Sequence, residues 1–391
     1  MSVPDDIRRA YSHFVLDSEW LGEHDDDPII CPGYPVRWLM RRYALNHYSD
    51  SEVIGALQQL NTCDTEITDD RFFKRWFPCK YDSVRQQIEW CLVGAETPVF
   101  PFTDDMISTE MRRLISSSMV RPRVSLQYLM NINPDSSVVP PAGFIFHLSR
   151  CGSTLLSNAF AARDDCQVIS EAAVLRELLL DAGLSEPEKE SLLRVLLQAY
   201  RCRRNNALVV KWNAWDICFY PLIRRVFPEV PCLFVIRNPI EILASHRLNA
   251  GMHMVSGGLG RKCTFPWQQK PLGYIEYQIE VLRELMQEML LYGGGDTHVG
   301  VVEYRAIKTL IAAGLSREFG LAADSNRVRM MLESTARYSK NPEQRFDGTE
   351  SKKDNLISES EKSQIEIRLM PPYLKLLEMA LLPAGKDAGL E

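Results

Sequence analysis

A chain of 391 residues, 46% hydrophobic and 25% charged, can bury a sizeable core and has the mix of an ordinary globular protein. Its net charge of −6 argues against a general nucleic-acid binder, because neutralising phosphates needs an excess of Lys and Arg. The ten cysteines lack paired C-x-x-C spacing, so neither a zinc site nor a disulfide framework is expected. No stretch approaches the ~20 apolar residues of a membrane span. The opening Met1-Ser-Val-Pro-Asp-Asp-Ile7 has no basic segment before an apolar run, so no secretory leader is expected and a cytoplasmic setting is the default.

Residues 1 to about 135 read as mostly helical. Ser49-Asp-Ser-Glu52 before an apolar run is a capping box opening a helix. Asp82 to Leu92 and Ser108 to Val120 carry apolar residues at helical spacing, and Pro122 interrupts before a further apolar piece, Val124 to Met130. The acidic stretch Glu23 to Asp27, with His24 and Asp26, reads as a solvated loop rather than an iron site. Asn133 to Pro141, rich in turn formers and proline, is the expected boundary between a domain spanning 1–138 and one spanning 139–391.

Beyond that boundary short apolar runs alternate with helical stretches. Gly143 to Leu148 is a strand, then a small-residue turn and a helix from Leu155 to Ala162. Ala207 to Val210 is a second strand with a helix from about Ala214 to Phe227, Cys232 to Ile236 a third with a helix from Pro239, and Val299 to Val302 a fourth with a helix after Tyr304. Strands that are continuously apolar and alternate with helices predict an α/β domain on a parallel sheet, with ligands outside the carboxyl ends of its strands. Gly293-Gly-Gly295 reads as a turn, and the Met and Leu stripe from Ile275 to Leu291 as helix core.

Two constellations fall at those carboxyl ends. In Arg150-Cys-Gly-Ser-Thr154, Gly152 permits a tight turn, and the backbone amides of the helix start, the hydroxyls of Ser153 and Thr154 and the Arg150 fork form an anion site. The motif has no G-x-x-x-x-G-K-[ST] pattern, so it is not a Walker A loop. Taken alone it reads equally as a packing glycine with a solvent-facing arginine. In Arg237-Asn-Pro-Ile-Glu-Ile-Leu-Ala-Ser245 the Asn-Pro-x-Glu part is a helix cap, which leaves Arg237 at the mouth of a strand and Ser245 about two turns along the next helix to grip one phosphate.

Together the two motifs resemble the sulfotransferase family, nearest in flavour to its tyrosylprotein and related bacterial branches. Arg150-Cys-Gly-Ser-Thr154 resembles the family's P-[RK]-[SC]-G-[ST]-T turn, and Arg237 with Ser245 its later R-x-x-x-x-x-x-x-S motif, over residues 141 to roughly 310. The resemblance implies a P-loop-like sulfotransferase domain. Arg150, Cys151, Gly152, Ser153 and Thr154 would bind the 5′-phosphosulfate end of 3′-phosphoadenosine 5′-phosphosulfate, and Arg237 and Ser245 its 3′-phosphate, with no metal required. Ser149 stands where many members carry proline, and Cys151 where serine is common. The acceptor is expected to be a hydroxyl, ahead of an amine, on a small molecule, with Arg150 aiding the leaving group and Glu171 as the general base. Ser170 capping a helix that begins at Glu171 is the structural alternative, and His246 and His147 are rival bases. Lys211 is expected at the same rim, contacting acceptor or sulfate or else forming a salt bridge to Glu171 or Asp216. Lys352 and Lys353 read better as a solvated loop than as a lid over the 3′-phosphate.

The N-terminal domain is expected to shape the acceptor site or to supply an oligomer contact. Competing readings on the same fold are a kinase-like enzyme using a nucleoside triphosphate and a non-catalytic nucleotide-binding scaffold.

Overall fold

The computed structural model describes residues 3–16, 35–65, 67, 72–73, 76–93, 100–113, 119–132, 139–201, 207–257, 272–338, 341–345 and 356–382. The acidic stretch around His24 and Asp26, the Lys352–Lys353 pair and the 133–138 part of the expected linker lie outside these. The described chain forms two compact units. One comprises Met1–Val139 with Ala172–Leu178 and Leu184–Asn205; the other comprises Pro140–Glu171, Leu179–Gly183 and Asn206–Glu391.

In the first unit, helices α1 (Asp5–Leu16), α2 (Pro35–Arg42) and α3 (Asp50–Leu60) precede a three-stranded antiparallel sheet of β1 (Trp76–Asp82), β2 (Gln87–Leu92) and β3 (Arg123–Ser125). Helices α4 (Thr103–Arg113) and α5 (Leu126–Asn131) flank β3 in sequence. The capping box on α3 forms as expected, with Ser49 Oγ accepting from Glu52 N–H and Glu52 accepting from Ser49 N–H at 2.8 Å. Helices predominate among the described residues of this part of the chain, as expected, but the sheet corrects the helical reading of Asp82 to Leu92. Asp82 to Leu92 is a hairpin whose Asp82 carboxylate accepts from the main chain of Val84 and Arg85, and Gln86 turns the corner at φ 54°. All of β2 is buried, so its apolar residues answer to two covered faces, and helical periodicity was the wrong template.

The second unit is built on a five-stranded sheet of β4 (Gly143–His147), β5 (Cys166–Ser170), β6 (Ala207–Lys211), β7 (Cys232–Ile236) and β8 (Val299–Glu303), in the order β5-β6-β4-β7-β8. Every neighbouring pair is parallel. This is the α/β architecture that the alternating apolar runs predict. Helix α6 (Ser153–Ala161) follows β4, and α9 (Tyr220–Val226), α10 (Pro239–Leu248) and α12 (Ile307–Ala312) follow β6, β7 and β8, with α11 (Tyr274–Gly293) between α10 and α12 in the chain, whereas α8 (Glu186–Arg201) and most of α7 (Ala173–Leu180), which lie between β5 and β6 in the chain, belong to the first unit. The single helix expected from Ala214 is instead a 3₁₀ turn, Ala214–Phe219, before α9, with Pro221 in the first turn of that helix. Strand β5 was not legible, because Cys-Gln-Val-Ile-Ser is neither continuously apolar nor cleanly alternating, and it lies at the sheet edge.

Phe144, Phe146, Trp212 and Phe234 are fully buried around the sheet, with Phe146 and Trp212 stacked at 6.0 Å. Each such ring contributes roughly 1.5–3 kcal/mol of burial. The rigidity that results matters because β4 is central. The chain crosses to β5 and β6 on one side of it and to β7 and β8 on the other, so the carboxyl end of β4 is the switch point where this class of sheet opens a crevice.

Candidate functional site

The turn leaving β4 is strained in a way that exposes its amides. Ser149, Arg150 and Gly152 have φ of 65°, 48° and 86°, a region that costs a non-glycine residue roughly 1–2 kcal/mol. Gly152 is the N-cap of α6, and no side chain caps the helix there. The first N–H groups of α6 therefore face the turn with the positive end of the helix dipole behind them. Glycine is required twice over at 152, since a Cβ would also lie 2.5 Å from Tyr304 Cδ2. Gly152→Ala is expected to lower unfolding stability by about 2 kcal/mol or more and to displace Tyr304, read as a melting temperature several degrees lower. An unchanged melting temperature would contradict this account of the turn.

Arg150 and Arg237 meet at this rim. Arg237 Nη1 donates to the main-chain carbonyl of Arg150 at 3.3 Å, its Nε donates to Glu241 at 2.7 Å, and its guanidinium lies 4.2 Å from the centre of the Tyr304 ring. Glu241 is bonded in turn by Arg305. Burial opposes the charged form of Glu241, but Arg237 and Arg305 hold its carboxyl below the usual range. Arg237 is only 6% exposed and braces the turn, where the sequence reading makes it solely a phosphate ligand. Ser245 is half-buried on α10, its carbonyl accepting from Asn249 N–H, while the Arg150 side chain donates to the carbonyl of Asn249. Cys151 is fully buried, and burial pushes its thiol up to about 11, so only its main chain faces the anion site.

The second half of the site comes from β5 and β6. Lys211, at the end of β6 and 1% exposed, lies 2.5 Å from Glu171 Oε1 and donates to Thr154 Oγ1 at 3.0 Å. One buried cation thus joins the base candidate to the start of α6. The turn has no lysine of its own, and the neighbouring strand supplies one. Asp216, the other expected partner of Lys211, accepts instead from the main chain and side chain of Asn213. Glu171 does not begin a helix. It stands just past β5 at φ 52°, its N–H donating to the Lys211 carbonyl at 2.8 Å, and α7 starts at Ala173.

His147 Nε2 is 3.4 Å from Glu171 Oε1, and its Nδ1 accepts from Ser149 N–H at 2.9 Å. That bond puts the ring proton of the neutral form on Nε2, facing the carboxylate, which leaves His147 no lone pair with which to act as a base there. Burial works against the ionised form of Glu171, but Lys211 first and His147 second outweigh it and hold the carboxyl well below its usual range. Burial likewise holds His147 neutral by lowering its pKa. His246 is buried with Nδ1 accepting from Gly251 N–H at 3.1 Å.

Sequence reasoning missed one histidine. His253 is 5% exposed in a 3₁₀ turn, Met252–Met254, held by Tyr277 and Gln278 of α11, which donate to the carbonyls of His253 and Met254. Burial lowers its pKa to about 3, with the Glu171 carboxylate and the Arg150 guanidinium acting on it in opposite directions. No spacing or motif in Gly251-Met-His-Met254 marks this residue, since its burial depends on a helix that starts twenty residues later.

These groups give a pH dependence of stability. His147 and His253 have folded pKa values below their unfolded 6.5, so beneath pH 6.5 the unfolded chain binds protons that the native one excludes. Glu171 acts in the same direction at lower pH, its contribution being present above the usual carboxylate pKa and lost as pH falls towards its depressed folded value. Stability is therefore expected to be full above pH 6.5 and to decline from there towards pH 3. His253→Asn should flatten that decline in chemical denaturation, whereas an unchanged slope would contradict the buried neutral imidazole.

No protein-family model matches the chain, and no curated protein matches it in sequence. Among solved structures the chain is similar to a sulfotransferase from Alicyclobacillus acidocaldarius, at 14% identity and a TM-score of 0.38, over 63% of this chain and 99% of that one. It is similar also to a sulfotransferase from Mycobacterium avium, at 12% identity and a TM-score of 0.38, over 70% of this chain and 84% of that one.

Proposed function

We propose that the second unit transfers a sulfuryl group from 3′-phosphoadenosine 5′-phosphosulfate to the hydroxyl of a small molecule. The observation that carries the reading is the Thr154–Lys211–Glu171 chain, which places a buried cation between an uncapped helix start and an ionised carboxylate. The residues present fit a phosphosulfate. The strained turn offers amides, Gly152 leaves no side chain over them, Thr154 and Ser153 offer hydroxyls, and Arg150 and Lys211 supply charge.

The donor supplies an activated sulfur and a phosphate leaving group. Glu171 takes the proton of the acceptor hydroxyl as its oxygen bonds to sulfur, and the bond from sulfur to the leaving phosphate oxygen breaks with its electron pair going to that oxygen. Arg150 and Lys211 stabilise the charge that grows there, which accelerates the step only because they bind it better than the ground state. Lys211 also tunes Glu171. While paired with it, the carboxylate is ionised but a weak base, and as Lys211 turns to the developing charge the proton affinity of Glu171 rises.

Arg237 sets the turn and stands ready, with Ser245, for the 3′-phosphate. The test is transfer of label to a panel of phenols, sugars and amines from ³⁵S-labelled donor or from γ-³²P-labelled ATP with magnesium. The reading expects sulfur label on a hydroxyl compound and its loss in Glu171→Gln. Phosphorus label on the panel, with none from the sulfuryl donor, would replace it with a kinase.

A further inference from the structure

Glu241 stands third in α10, where a carboxylate ordinarily bonds back to the N–H of the N-cap residue and closes a capping box. The sequence reading gives it that task. In the structure Asn238 caps the helix with its own side chain, which accepts from Ile240 N–H at 2.9 Å. The Glu241 carboxylate turns to the strand end instead, one oxygen accepting from Arg237 Nε at 2.7 Å and the other from Arg305.

By charge alone a carboxylate is misplaced here. It lies against the arginine expected to meet a phosphate, and like charges repel. Two features of the group answer that objection. Arg305 bonds the second oxygen, so two guanidinium groups and one carboxylate leave the cluster net positive. The Arg305 side chain is 76% exposed, so water competes for its bond and its part is to offset charge rather than to hold the fold. The second feature is which atom Glu241 takes. It bonds Nε, while Arg237 Nη1 reaches the Arg150 carbonyl at 3.3 Å and the guanidinium face lies 4.2 Å from the Tyr304 ring centre. These contacts fix both the plane of the guanidinium and its rotation about the stem. An arginine grips phosphate through a rigid planar fork, so a plane set beforehand spares the ordering that binding would otherwise require.

We propose that Glu241 is the positioning residue for Arg237 in recognition of a nucleotide 3′-phosphate, with Arg305 offsetting its charge. The assignment rests on the sulfuryl-transfer reading and adds to it the group that makes the donor site select a doubly phosphorylated adenosine. Glu241 acts through the guanidinium and touches neither the nucleotide nor the reacting atoms.

The test is calorimetric titration of the full chain with 3′-phosphoadenosine 5′-phosphate and with adenosine 5′-monophosphate, in wild type, Glu241→Ala and Glu241→Gln. Glutamine keeps an acceptor oxygen for Arg237 Nε and removes the charge. In Glu241→Ala the doubly phosphorylated nucleotide is expected to weaken about tenfold or more, and the monophosphate by no more than about threefold. Glu241→Gln should bring the former back to within about threefold of wild type. A residue needed only for folding would weaken both nucleotides alike in Glu241→Ala. A residue that only repels phosphate would, once removed, tighten the doubly phosphorylated one. Either result overturns the proposal, and so does a glutamine variant no better than alanine. The wild-type titrations keep this apart from the reading beneath. Preference for the doubly phosphorylated nucleotide in wild type, unchanged in both variants, removes only the role of Glu241. Equal or absent binding of the two nucleotides by wild type removes the 3′-phosphate site itself.

Discussion

Lys211→Met is expected to lower sulfuryl-transfer turnover by about 10²–10³-fold, the range associated with removing one preorganised group that stabilises developing charge. Methionine keeps the length and apolar stem of the buried side chain, so the change isolates the charge. Two further consequences follow from the 2.5 Å pair with Glu171. Burial is then opposed only by His147, so the carboxyl's pKa rises from its depressed position, and whatever activity remains should lose its proton-accepting carboxylate at a higher pH than the wild type does as pH is lowered. Breaking a fully buried pair costs about 3–5 kcal/mol, and the quarter of the Glu171 side chain that stays accessible reduces that here to roughly 1–3 kcal/mol. Turnover within threefold of wild type would remove Lys211 from the chemistry.

The second large effect is expected at Arg237. Its guanidinium serves Glu241, the Arg150 carbonyl and the Tyr304 face together, so Arg237→Ala should loosen the whole turn as well as any phosphate contact. Binding of 3′-phosphoadenosine 5′-phosphate, read by calorimetry, is expected to weaken by about 10²–10³-fold, or roughly 3–4 kcal/mol. Arg237→Lys should recover little of it, because an ammonium cannot bond two acceptors in a plane and stack on a ring at once. Adenosine 5′-monophosphate, which lacks the 3′-phosphate, separates the two roles. If Arg237 acts only as a brace, both nucleotides weaken equally; if it also holds the 3′-phosphate, the larger loss falls on the doubly phosphorylated one. Undiminished affinity for both would contradict either role.

The parts of this architecture that local chemistry dictates were legible in the chain. The strand–turn–helix at Gly143 to Ala161 is announced by an apolar run, a glycine and two hydroxyl residues, and the cap at Asn238-Pro239 by residues whose side chains and fixed φ suit a helix start. The Lys211–Glu171 pair could be foreseen only as one of several partners, because strand adjacency decides it: β5 and β6 pair with Ser170 opposite Lys211, which brings the next residue, Glu171, to the lysine. The bracing role of Arg237 was hidden for the same reason, since Tyr304 comes from the far side of β8 in the chain. Burial in β2 and around His253 is a tertiary property, set by elements distant in sequence, and periodicity carries no trace of it.

The account's central claim is that the strained turn with Lys211 and Arg237 is built for a doubly phosphorylated adenosine. Its most direct test is thermal unfolding of the full chain with 3′-phosphoadenosine 5′-phosphate or with ATP and magnesium. At a hundredfold excess over the dissociation constant a ligand adds about 2.7 kcal/mol, which for a unit of this size raises the melting temperature by roughly 5–10 °C. The expected result is that rise with 3′-phosphoadenosine 5′-phosphate and little change with ATP and magnesium. Selective stabilisation by ATP and magnesium would contradict the account.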